Sequence, residues 1–143
     1  MSLGRRVFSQ GLAAAAISLL AGPAFAGSYL NRAALLIGQG RREGEFLRAH
    51  FADKELAHTV HHMAVARVEA ASTMIVPKEV VQAHPHLLLV FENYERAADA
   101  CENSQVERFV VFMQRALDEQ RTFRAVLKQF GWDLPGTGDE RER

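Results

Sequence analysis

The sequence predicts an all-α fold, an antiparallel up-down-up-down four-helix bundle, and three observations predict it. Residues 104–130 carry a heptad seam: Val106, Phe109, Met113, Ala116, Gln120, Phe123, Leu127 and Phe130 recur at alternating spacings of three and four, as on a helix lying along others. Earlier stretches show the same periodicity and are joined by short connections, which makes successive helices antiparallel neighbours. Strand signals are scarce, with no alternating β-branched runs and no Asn-Gly turns. The 143 residues suffice for one domain with one core.

Residues 1–26 read as a cleavable export signal. Arg5 and Arg6 form a basic start, an alanine-rich apolar run follows, and Ala24-Phe25-Ala26 is a small-x-small cleavage site. The run is too short and weakly apolar to span a membrane. The segment Gly4-Arg5-Arg6-Val7-Phe8-Ser9-Gln10 resembles the twin-arginine signal family, through the paired arginines and Phe8. That resemblance covers the leader alone, and Gly4, Ser9 and Gln10 depart from the family's preferred residues. It implies a bacterial protein carried already folded to the periplasm or beyond; the plainer alternative is an ordinary basic start on the general secretory route, and on either the cleavage site makes Gly27 the first mature residue.

The first helix of the mature chain is predicted over 29–51, where Leu30, Ala33, Ile37, Gly40, Gly44, Leu47 and Phe51 form the seam. Two glycines on a helix seam each cost about 0.5–1 kcal/mol against alanine, which close approach by a bulky neighbour would offset. A turn at Ala52-Asp53, with Asp53 as N-cap, starts the second helix over 54–75, with Leu56, Val60, Met63, Ala70 and Met74 inside. Pro77 ends it and opens a short helical piece over 77–83. The third helix covers 86–101 and buries Leu87, Phe91, Tyr94, Ala98 and Cys101. The fourth starts from Ser104 and Glu107 in capping-box spacing and stops at Gly131. The bundle is thus assigned to 27–132, and the Gly-, Pro- and charge-rich 133–143 to a disordered tail.

Six histidines are the first candidates for chemistry. With Leu56 at zero, His58 and His62 fall at about 200–240° on the second helix, the solvent side. Their i,i+4 spacing suits a surface zinc or copper site, against the plainer reading of a solvated polar face. His84 and His86 flank Pro85 and either clasp a metal or serve as cap and first-turn residues. Met63 and Met113, placed level with Gly40 and Gly44, offer soft sulfur to haem iron or Cu(I), against ordinary core filling. Arg67 and Gln120 are polar seam residues, and Arg67 is expected to reach Gln120, an acid such as Asp118, or solvent by snorkelling. Cys101 stands alone, which excludes an intramolecular disulfide and a haem-attachment motif, and is expected to be buried.

Seventeen basic and seventeen acidic residues balance, and without Arg5 and Arg6 the chain is slightly acidic, which gives no case for nucleic acid. No nucleophile elbow, P-loop, dinucleotide fingerprint or zinc-protease motif occurs. The expectation is an exported, non-enzymatic binding or accessory module without a cofactor. A protein partner would meet an apolar patch around Val65, Leu88 or Val126. The alternative is a metal or haem carrier.

Overall fold

The computed structural model describes the backbone of residues 2–136 and the side chains of 25–136. Its helices are α1 (Ser2–Ala49), α2 (Lys54–Ser72), α3 (His84–Glu102) and α4 (Val106–Gln129), with a 3-10 turn at Lys78–Val80 between α2 and α3. The fold is the predicted four-helix bundle, and no strand occurs among the described residues. Arg5, Arg6, Phe8 and Ala24 lie outside the residues whose side chains are described, while Ala26 is buried on α1. No helix among the described residues is long and apolar enough to cross a membrane.

α3 is the centre of the bundle and contacts α1, α2 and α4. The predicted face of Leu87, Phe91, Tyr94, Ala98 and Cys101 is buried, and Val90, Ala97 and Ala100 extend burial around the helix. On α4, Phe109, Met113, Ala116, Gln120, Phe123 and Leu127 form the seam as expected, but the terminal Val106 and Phe130 are exposed.

The helix ends show what the spacing of residues alone concealed. Asp53 caps α2 as predicted, its carboxylate accepting the Leu56 N–H at 3.0 Å. α2 ends before 75, because the Ser72 and Thr73 hydroxyls both bond back to the Glu69 carbonyl and compete with helix propagation. The capping box at Ser104 does not form. Ser104 instead takes a left-handed conformation (φ 58°), and the Gln105 and Ser104 N–H groups donate to the Ala100 and Cys101 carbonyls. This is a Schellman ending for α3, so the serine is used to stop one helix rather than start the next. Gly131 (φ 81°) ends α4 the same way, with Trp132 N–H donating to Leu127 O at 2.9 Å. Trp132 and Leu134 then pack against the core, so the chain remains attached past the boundary expected at 132. Residues 137–143 lie outside the described residues.

The glycines of α1 are there for close approach. A Cβ at Gly40 would stand 2.9 Å from the Tyr94 ring, and one at Gly44 would stand 2.8 Å from the Met113 sulfur. Beside them Arg67 forms an ion pair with an acid, one of its expected kinds of partner, but the acid is Glu43 on α1 rather than Asp118. Burial raises the Glu43 pKa, and the Arg67 charge opposes it. A buried pair of this kind specifies which faces meet more surely than it adds stability.

Candidate metal centre

The buried face of α2 is Ala57, Val60, Ala64, Arg67 and Ala71, about one residue further round than predicted. Four of the five are small or β-branched and let α2 lie close to its neighbours, while Leu56 and Met74 pack only at the edge. Met63 is turned outward and is 49% exposed. The paired-thioether site is therefore corrected: Met113 fills the space over Gly44, Met63 does not face it, and the void there is about 10 Å³. That is at best one water's worth of room, not a haem's.

The same rotation turns the histidines toward α3. His61 is 23% exposed at its side chain and lies between two carboxylates of α3, with Nδ1 2.8 Å from Glu102 Oε2 and Nε2 2.7 Å from Glu95 Oε1. Both nitrogens can donate only as imidazolium. Burial works against that charge, but the hydrogen bonds to Glu95 and Glu102 outweigh it and raise the His61 pKa. Glu102 also takes the His58 Nδ1–H on its other oxygen, at 2.5 Å. Its hydrogen bonds from His58 and His61 lower its pKa.

In a neutral His58 ring whose Nδ1 donates to Glu102, Nε2 carries a lone pair. It faces His62 Nε2 at 3.1 Å, with the rings nearly perpendicular. Two imidazole nitrogens on a tetrahedral zinc, each about 2.0–2.1 Å from the ion, stand about 3.3 Å apart. The pair therefore has chelating geometry, and Glu102 behind His58 is the carboxylate that orients a metal-ligating histidine. Both histidines lie on the accessible side of α2, where the helical wheel placed them.

A second set, His61, Asp99 and Glu102, also brings its ligand atoms within 4.8 Å of one another. A metal there would have to displace the proton that two carboxylates hold on His61, whereas at His58 and His62 it would replace a single hydrogen bond between two exposed rings. Sequence reasoning missed Glu95, Asp99 and Glu102. They recur at three-four spacing on α3, so their common stripe was visible, but nothing in the sequence shows that it faces the histidines of α2.

His84 and His86 do not converge, which corrects the clasp expected around Pro85. His84 Nδ1 accepts the Tyr29 hydroxyl from α1 at 2.8 Å, whereas His86 Nδ1 donates to Glu119 on α4 at 3.0 Å. Residues two apart on a helix point about 200° apart, which sends the rings to different neighbours.

Cys101 is buried, as expected, and its thiol faces the Phe51 carbonyl at 3.7 Å. Burial raises its pKa, with Lys54 opposing, so it is a poor thiolate ligand. Lys54 Nζ donates to the carbonyls of Phe51 (3.0 Å) and Cys101 (2.7 Å), tying the ends of α1 and α3. Of the apolar residues expected to form a patch, Val65 is exposed, but Leu88 and Val126 pack against the core.

No family model, curated protein or solved structure matches this chain.

Proposed function

We propose that this chain is an exported helical-bundle protein that binds a divalent transition-metal ion, zinc or copper(II), through His58 and His62. The observation that carries this reading is the 3.1 Å approach of the two Nε2 atoms, with the far nitrogen of His58 held by Glu102. The ion's other positions face solvent, so the site is open and exchangeable, suited to carrying or delivering a metal rather than to holding the fold together. Glu95 and Glu102 fix His61, and His61 in turn fixes Glu102 behind His58. The leader supports export, through Arg5, Arg6 and Phe8 and the small residues Ala24 and Ala26.

Titration of the purified, chelator-treated chain with Cu(II) and Zn(II), read by calorimetry and by the Cu(II) spin-resonance spectrum, tests the site. The wild-type chain should bind one ion with nitrogen ligands. The change His58→Ala or His62→Ala should abolish that binding, and Glu102→Gln should weaken it about 10–100-fold. His84→Ala and His86→Ala should leave it unchanged. Binding that survives loss of both His58 and His62 overturns the proposal.

A further inference from the structure

A half-open groove of about 460 Å³ runs along α1 and is bordered by Gln120 of α4 and by Pro135 and Gly136 of the chain after it. It falls within the usual size of small-molecule pockets, about 300–1,000 Å³. Leu35, Ile37 and Pro135 give it apolar walls, and Arg41, Arg42 and Gln120 give it polar ones. Leu35 is 59% exposed, a large apolar side chain left open within the groove. Gln120 is only 5% exposed, yet its amide oxygen has no hydrogen-bond partner. The two ends of a glutamine amide interchange by rotation, so this group can present N–H donors to a guest. Neither Arg41 nor Arg42 forms a salt bridge among the described residues. The Arg42 charge acts on Glu43 without forming an ion pair with it, so both guanidinium groups keep N–H donors for a carboxylate, which each can grip through two parallel bonds.

We infer that this groove binds a small organic carboxylate with an apolar body, its charge held by Arg41 and Arg42, its body against Leu35 and Ile37, and Gln120 donating from the floor. The three features require different parts of one guest. Two cations alone would suit any anion, and the apolar wall alone any hydrocarbon. Gln120, whose buried amide oxygen lacks a partner, lines the same groove as the cations and the apolar wall, which suits a guest with a polar head and an apolar body. The groove involves α1 and α4, whereas the histidine cluster lies on α2 and α3, so this inference stands independently of the metal site.

The probe is 4-phenylbutyrate, titrated into the full chain by calorimetry, with 4-phenyl-1-butanol and inorganic phosphate as comparisons. Saturable one-to-one binding of the acid is expected, about tenfold or more tighter than the alcohol or phosphate, the difference that one good charge-assisted contact makes. The double change Arg41→Gln and Arg42→Gln should weaken the acid about tenfold or more. Leu35→Trp, a change at an exposed position, should block binding by filling the groove. Both variants should keep the wild-type circular dichroism and metal titration. Equal binding of acid and alcohol, phosphate binding as tight as the acid, or no saturable binding at millimolar concentration would each overturn the inference. So would acid binding unaffected by either variant.

Discussion

Gly40 and Gly44 illustrate how two identical residues on one seam carry different constraints. The position of a Cβ at Gly40 is taken by the Tyr94 ring, which is buried and braced on α3. At Gly44 the obstacle is the end of Met113, a flexible thioether that can swing aside. Alanine gains about 0.5–1 kcal/mol of helix propensity at either site. Overpacking a rigid neighbour costs about 1–3 kcal/mol. Gly40→Ala should therefore lower the unfolding free energy by about 1–2 kcal/mol in urea denaturation, and Gly44→Ala by less. A Gly40→Ala chain more stable than wild type would show that the aromatic is not fixed there. The glycines were legible as a demand for close approach. Only the packed bundle shows that the bulky neighbour at Gly40 is Tyr94.

Between elements, His84 joins three helices at one end of the bundle. It sits at the start of α3, accepts the Tyr29 hydroxyl from α1 and hydrogen-bonds the Ala71 backbone of α2. Burial lowers its pKa from 6.5, and the Ala71 bond only partly opposes this. A histidine with a pKa lower in the folded chain than in the unfolded one contributes its full stability above 6.5, and loses it as the pH falls through the lowered value. Thermal unfolding of the metal-free chain should therefore show a fall in Tm below about pH 6.5 that is reduced in His84→Gln. Parallel pH profiles for the two chains would mean that His84 is not buried as a neutral ring. Its partners were not legible, because Tyr29, Ala71 and His84 belong to three separate helices and no local pattern links them. The faces of α1, α3 and α4 were legible, since their large apolar residues mark the core side. α2 was misread by one position because its true contact face is built of alanines, which carry little hydrophobic signal, while Leu56 and Met63 sit at its margin or outside it.

At the scale of the whole molecule, α3 forms the axis, the histidine–carboxylate cluster lies where it meets α2, and the arginine-lined groove involves α1 and α4. The proposed twin-arginine route would carry this assembly already folded, so that both sites could be loaded before export. Replacing Arg5 and Arg6 together with lysine should retain the precursor in the cytoplasm, as shown by fractionation and immunoblotting. Undiminished export of that variant would rule the route out. The sequence by itself determined the helical class, the number of helices, the faces of three of them, the Asp53 cap and the Gly131 stop. All of these follow from periodicity and local backbone chemistry, which act within a few residues. Only the tertiary structure decided the rotation of α2, the Arg67–Glu43 pairing and the divergence of His84 and His86. It alone brought Glu95, Asp99 and Glu102 to the histidines. Each depends on which side chain of one helix meets which of another, and that is set by the fit of small and large residues across an interface rather than by their spacing along the chain.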